Sequence, residues 1–313
     1  MINFRNLFKY YYHNTRLGKV LIYPYMFYRD YIMSDVTYIK KSFKRVMGYN
    51  VNLKDPITLN EKIQWLKLND KTALHTQCAD KYAVREYVAS KIGQEYLVPL
   101  YFTTKDPAQI VPDNLPQTPY IIKTNHDSSG GIIIQNVHDV NWKEIQKTLK
   151  RRMSKNYYYY SKERQYKNII PRIIVEKLLE DKNGNIPFDY KVHCFNGKVR
   201  MISVDMWRGT NDHHRNWYST DWQREPYKWS SPKGPGKFTD PSEIDIEKPK
   251  SLEDMIKLSE ILAESFLYVR VDWYDVDDTL YFGELTFHHD SGFQPILPKI
   301  WDEKLGKELI LTR

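Results

Sequence analysis

Residues 269–287 read VRVDWYDVDDTLYFGELTF, and the alternation of their side chains on either side of Asp277-Asp278 specifies a β-hairpin with one buried face. Side chains two apart share a strand face, so Arg270 lies with Asp272, and Glu284 lies with Thr286 and His288. If the chain reverses within residues 275–279, Asp272 comes opposite Glu284 to within one residue of register. Two carboxylates side by side repel, so a cation belongs between them. That cation is either a divalent metal carrying a polyphosphate, with Arg270 beside it, or part of an ordinary structural ion pair, the simpler reading of these residues alone.

A second hairpin, FDYKVHCFNGKVRMISVDMW, has Asn196-Gly197 at its tip as a type I′ turn and sets Lys191 and His193 on one face. YIIKT and GIIIQN are two short β runs, and RIIVEKLLED is strand-like. Between these lie helices. Thr58 and Glu61 form a capping box for one that ends near Asn69; another runs from about Asp80 to a cap at Gly93. A third spans Trp142 to Met153, and Ser251 opens a capped fourth that reaches Phe266. Antiparallel hairpins mixed with helices specify an α+β fold rather than a doubly wound sheet. The stretch PLYFTTKDPAQIVPDNLPQTP, with five prolines, reads as a linker holding a short strand and puts a boundary near Thr118.

A chain of 313 residues buries a large core and suggests about two domains. With 14% aromatic residues, 25 of the residues Tyr, and charges of mixed sign, the composition is that of a globular protein with an unusually aromatic interior or binding surface rather than of a disordered chain. The net charge of +8 favours nucleotides, acidic sugars, anionic lipids or nucleic acid without choosing among them. Cys78 and Cys194 stand alone, so neither a disulfide framework nor a zinc site is indicated, and a reducing cytoplasm fits. Residues 1–40 are aromatic and basic, with no apolar run long enough to span a bilayer or form a signal-peptide core. They suit packing on the body of the protein, or peripheral contact with a membrane surface.

In IIKTNHDSSGGIII the backbone N–H groups of Ser128, Ser129, Gly130 and Gly131 can face phosphate oxygens, with Lys123 on the strand that enters the loop. This is no P-loop, because no G-K-[ST] closes it and a strand follows; alone, a plain hairpin turn is the simpler reading. Glu176 begins an apolar segment, IIVEKLLE, able to offer main-chain groups to an adenine edge; a buried strand edge is the plain alternative.

Taken together, LNEKIQWLKL, DKYAVREYV, YKNIIPRIIVEKLLED, DYKVHCFNGKVR, VRVDWYDV and YFGELTF resemble the ATP-grasp superfamily, and within it the TupA-like ATP-grasp proteins of bacterial surface-polysaccharide gene clusters. The resemblance covers most of the chain. It implies an ATP-grasp fold with mostly antiparallel sheets, divided into a mainly helical region over 1–118, a lid subdomain over 119–180 and a metal-bearing subdomain over 181–313. It further implies ATP and Mg2+ as cofactors, Lys123 and Lys191 on the phosphates, Glu176 and Leu178 at the adenine hinge, and Asp272 and Glu284 as metal ligands. Arg270 then steadies the transferred phosphoryl group. ATP-grasp enzymes in general carry Asn two residues after the second metal glutamate; this chain has Thr286 there, within an ELTF wording shared with the TupA-like group.

The activity implied is an ADP-forming carboxylate–amine ligase that joins an amino acid or amine to a uronic acid of a capsular or other surface polysaccharide, or of its precursor. For the acidic sugar, MWRGTNDHHRNWYSTDWQREPYKW offers Arg208 and Arg215 for carboxylates and tryptophans such as Trp217 for sugar rings, with His288 and His289 of HHDSGF in substrate selection. Filling the space beneath an irregular loop is an equal reading for the tryptophans, and an extra solvent-facing pair for His288 and His289. A glycosyltransferase is the alternative of another class; it lacks D-x-D, and its nearest acid pair, Asp277-Asp278, falls in a turn. Nucleic acid is not expected as a partner, since the basic residues of LKRRMSK alternate with Leu and Met as on a solvated helix face.

Overall fold

The computed structural model describes residues 16–128 and 130–311. Its helices are α1 (Arg16–Phe27), α2 (Asp35–Met47), α3 (Leu59–Asn69), α4 (Ala73–Ala79), α5 (Val84–Lys91), α6 (Trp142–Met153), α7 (Tyr158–Ser161), α8 (Leu252–Ala263) and α9 (Ile300–Glu308). Its strands are β1 (Leu100–Thr104), β2 (Tyr120–Thr124), β3 (Ile132–Ile134), β4 (Ile173–Lys177), β5 (Asp189–Phe195), β6 (Lys198–Met206), β7 (His214–Tyr218), β8 (Lys228–Trp229), β9 (Pro232–Gly234), β10 (Lys237–Phe238), β11 (Tyr268–Val276), β12 (Thr279–Thr286) and β13 (Ile296–Leu297).

Both expected hairpins form and lie side by side in a five-stranded antiparallel sheet of order β12-β11-β5-β6-β7. Positive φ at Asn196 and Gly197, and at Asp277 and Asp278, makes both turns tight enough to keep the strands in register. The apolar face, with Val192, Ile202, Val269, Val271 and Trp273, is covered by Leu252, Met255, Leu258 and Leu262 of α8. The opposite face carries the charged residues. A smaller antiparallel sheet, β1-β4-β2-β3, buries Tyr120, Ile122, Ile173 and Val175 against Leu149 of α6; the proline-punctuated stretch contributes its edge strand β1.

The capping box of α3 is present: Thr58 Oγ1 accepts from the Glu61 N–H at 3.2 Å, and Glu61 Oε2 accepts from the Thr58 N–H at 3.2 Å. Two other helices differ from expectation. Asp80 Oδ1 accepts from the N–H groups of Tyr82 and Ala83, and the Lys81 N–H goes to the Asn125 carbonyl, so residues 80–83 form a turn and α5 begins at Val84. Gly93, with φ of +111°, lies one residue beyond the cap at Ile92. Ser251 does not cap α8; its hydroxyl donates to Asp275 Oδ2, and the helix stops at Ala263.

Gly306 lets α9 lie directly on the N-terminus of α3. A Cβ there would come within 2.1 Å of the Ile57 carbonyl oxygen and 2.7 Å of the Leu59 nitrogen, both backbone atoms that cannot swing aside. Gly306→Ala is therefore expected to cost about 2–3 kcal/mol, read as a lower urea midpoint at unchanged slope.

Candidate active site

Because side chains alternate and the strands are in register, one row of paired residues crosses all five strands: Trp217, Ser203, Lys191, Asp272 and Glu284. The flanking rows put Asp189, Asp205 and Arg215 on one side and His193 and Arg270 on the other. The pairing of Asp272 with Glu284 depends on a bulge. From Val276↔Thr279 to Trp273↔Phe282 the register would set Asp272 against Gly283; the irregularity after Trp273 sets it against Glu284 instead. Gly283 suits this place, since a Cβ would sit 3.1 Å from the Asp272 carbonyl oxygen.

Lys191 stands among three carboxylates. Its Nζ donates to Asp189 Oδ2, lies 3.2 Å from Asp272 Oδ2 and lies 3.5 Å from Asp205 Oδ2. Arg270 grips both oxygens of Asp272, through Nε and Nη2 at 2.6 Å each, and its Nη2 reaches Glu284 Oε1 at 3.2 Å. Arg215 grips Asp205 in the same two-pronged way, at 2.6 and 3.0 Å, and Arg208 donates to Asp189 Oδ2 at 2.8 Å. The cation demanded between the two hairpin acids is thus a guanidinium in this structure. Burial makes this pairing obligatory, since an isolated charge of either sign at such depth costs several kcal/mol.

His289, fully buried, accepts at Nδ1 from Arg270 Nη1 at 2.7 Å. Burial, with the charges of Arg270 and Arg215 on either side, holds its pKa well below the usual histidine range, so it stays a neutral acceptor that orients Arg270. Burial likewise opposes the charge on Asp205, but Arg215 and Lys191 win and hold its carboxyl well below the usual range. For Glu284, burial is again the largest influence and raises the pKa, yet Lys81 and then Arg270 bring it down from 4.5 to about 2. Folding stability linked to Glu284 is therefore fully present above its unfolded value of 4.5 and is lost as the pH falls toward 2. Lys81→Met, which removes the first of the lowering charges, is expected to raise the Glu284 pKa, measured by NMR titration of labelled glutamate carboxyls.

The second group lies on the smaller sheet. Lys123 Nζ donates to Glu176 Oε2 at 2.9 Å, and Arg85 donates to Glu176 Oε1 at 3.2 Å. The Leu178 N–H goes to the Pro119 carbonyl at 3.3 Å. Between β2 and β3, Ser128, Gly130 and Gly131 are exposed, Gly130 with φ of +77°; Ser129 lies outside the described residues. Arg152 from the end of α6 donates to the Gly130 carbonyl at 2.8 Å. Lys81 ties the two groups together: its Nζ donates to the Asp127 carbonyl at 2.6 Å and lies 3.5 Å from Glu284 Oε2.

Three expected substrate contacts are corrected. Trp217 is 1% exposed and stacks on Trp229 at 5.6 Å, so it fills the core rather than a sugar site. Arg215 is spent on Asp205. His288 is buried, with Nδ1 3.1 Å from Gln165 Nε2 and 3.5 Å from Glu163 Oε2, and so is His289, so neither faces solvent. Arg208 keeps an exposed side chain beside exposed Trp207. The turn acids Asp277 and Asp278 are occupied by the Lys182 N–H and by Lys250. Sequence reading missed Lys81, Asp189 and Asp205, and set His289 with the substrate rather than against Arg270. Of these, Asp189 carried a signal, since it lies two residues before Lys191 on the same strand face.

Among the described residues no three His, Cys, Asp or Glu side chains gather as ligands for a metal ion. Two in-register carboxylates, Asp272 and Glu284, nevertheless fit magnesium, which takes one or two protein carboxylates and completes its shell with phosphate oxygens and water. Asp189 Oδ1, buried with no hydrogen-bond partner, is a further oxygen acceptor on this face that the protein leaves unused.

Among solved structures the chain is similar to the D-alanine–D-alanine ligase of Bacillus anthracis complexed with ATP, at 15% identity over 67% of this chain and 54% of that one, with a TM-score of 0.36. It is also similar to an L-amino acid ligase from Bacillus licheniformis, at 13% identity over 74% of this chain and 49% of that one, with a TM-score of 0.41. The chain spans about half the length of each. No curated protein matches it. The profile of the family described as TupA-like ATPgrasp matches residues 61–310. That match takes in both sheets and every charged group of the site, and the mixed helices and antiparallel sheets are an ATP-grasp fold: the chain belongs to the TupA-like ATPgrasp family.

Proposed function

We propose that the protein is an ATP-dependent carboxylate–amine ligase that works through an acyl phosphate. The observation that carries this reading is the row Lys191, Asp272 and Glu284 with Arg270 beside it, two acids and two cations gathered on one sheet face. Asp272 and Glu284 would hold magnesium, whose contribution when bound is to neutralise phosphate charge. Lys123 and Lys191 would take phosphate oxygens in place of their present carboxylate partners, and the N–H groups of Ser128, Ser129, Gly130 and Gly131 would close over the chain of phosphates. Glu176 and Leu178 would border the adenosine. Residues 119–180, with the edge strand β1 from the preceding stretch, would then act as the lid, 181–313 as the body that carries the acids, and the rest of 1–118 as a helical region before them.

In the first step an oxygen of the substrate carboxylate attacks the γ-phosphorus and the bond to the leaving ADP oxygen breaks, while Arg270 and Lys191 stabilise charge on the transferring group. An amine then attacks the acyl carbon, phosphate departs, and the nitrogen loses a proton to give the amide. Lys81, which touches both the glycine loop and Glu284, would help keep water from the acyl phosphate by holding the loop down. Arg208 beside Trp207 suits an acidic sugar, the guanidinium on the carboxylate and the indole on the ring. The wording shared with surface-polysaccharide proteins supports a uronic acid of a capsule or its precursor as acceptor, with an amino acid or amine as the second substrate.

The test is product analysis of purified protein with ATP and magnesium across pooled amino acids and uronic-acid sugars. ADP and phosphate formed only when both substrates are present is the expected result. AMP and pyrophosphate, or no nucleotide binding, would end the ligase reading.

A further inference from the structure

We infer that residues 23–36 carry a surface that lies on an anionic phospholipid bilayer. Tyr23, Tyr25, Phe27, Tyr28, Tyr31 and Ile32 are 44–69% exposed within ten residues of chain, whereas the exposed aromatic residues beyond residue 40 lie far apart in sequence. A cluster of this kind on a water-facing surface marks an interaction site. Phe27 and Tyr31 follow at a helical interval of four and bring their rings to 5.2 Å.

The other side of this segment is fastened to the protein. Lys162 Nζ donates to the Asp30 carbonyl at 2.7 Å and Tyr38 Oη donates to the Tyr160 carbonyl at 2.7 Å, while the half-exposed Tyr31 ring meets Tyr159 at 4.6 Å where the two sides join. Both acids of the segment are neutralised there, Asp30 by Arg29 and Asp35 by Arg164 at 3.2 Å. Residues 16–45 contain seven Lys and Arg against these two Asp, and Lys40, Lys41, Lys44 and Arg45 on α2 are exposed.

A tyrosine-rich exposed segment followed by a helix of exposed lysine and arginine suits the headgroup layer of an anionic membrane, where rings sit among the headgroups and basic side chains meet phosphate. No helix among the described residues is long and apolar enough to cross a membrane, so the segment would lie along the surface. Residues 1–15 fall outside the described residues and carry no part of this inference. It needs no nucleotide, and so stands or falls apart from the ligase reading.

The test is co-sedimentation of the full chain with vesicles of phosphatidylcholine alone and of phosphatidylcholine mixed with phosphatidylglycerol, at low and high salt. Pelleting with the mixed vesicles only, weakened by salt, is expected. In Tyr23→Ser/Phe27→Ser/Ile32→Ser the bound fraction should fall about tenfold or more while the melting temperature holds. Absence of pelleting with mixed vesicles, or equal pelleting of the variant, would overturn the inference. So would self-association of the wild type that the triple variant abolishes, since a second copy would then be what covers the face.

Discussion

Asp272→Asn and Glu284→Gln are each expected to lower ADP formation on the order of 10³-fold, the scale of losing a charged group that acts on the transferring phosphoryl. Their effects on stability should differ, and the difference is what makes the pair informative. Asp272 is 3% exposed and anchors Arg270 through both oxygens and Lys191 through one. Asn keeps its shape but leaves two buried cations short of a counter-charge, which costs about 3 kcal/mol or more. Glu284 is partly exposed and holds Arg270 at 3.2 Å and Lys81 at 3.5 Å, so solvent screening weakens the stability its low pKa represents and Gln there costs about 1–2 kcal/mol. Equal losses of turnover with unequal losses of stability would mean that the two acids share a task in the reaction. Were Glu284→Gln to fold normally and keep its activity within about tenfold, the hairpin acids would be structural and the magnesium assignment would fail.

How much of this could be read from the chain follows from how far apart the interacting residues lie. Alternation over residues 189–206 and 269–286 placed Lys191, Arg270, Asp272 and Glu284 on strand faces, because the apolar set of each strand must face the core; that the charged face is buried as well was not legible in the pattern. The register of Asp272 against Glu284 was legible only to within one residue, because the bulge at Gly283 shifts it and nothing short of the packed sheet requires that bulge. The helix misread from Asp80 has the same origin: a local helical pattern yields to Asn125, 44 positions away, whose carbonyl takes the Lys81 N–H. Trp217, Arg215 and His288 looked available because their residue types favour ligands. Their burial is decided by partners such as Asp205 and Glu163 that no local pattern ties to them.

Arg215→Met is the substitution expected to cost most in stability, about 3–5 kcal/mol, or roughly 10 °C in melting temperature. Arg215 is 4% exposed and gives two hydrogen bonds to Asp205 and one of 2.6 Å to Ser231. Without it, Asp205 keeps only Lys191 and His213, each at 3.5 Å, and a buried carboxylate so poorly paired raises its pKa instead of lowering it. The sign of the pH effect follows. In the wild type the Asp205 contribution is complete above its unfolded pKa of about 4 and is lost as the pH falls through its lower folded value. In the variant the charged carboxylate opposes folding above about pH 4, so the gap between the two proteins should be widest at neutral pH and narrow toward pH 4. Urea midpoints at the two pH values measure it, and a gap that does not change with pH would mean that lost packing, not the stranded charge, is what Arg215 prevents. Arg215→Met combined with Asp205→Leu should recover most of the loss, because removing both partners leaves no charge to bury. Turnover should not recover with it, since Lys191 would then have lost one of the carboxylates that hold it in line with Asp272.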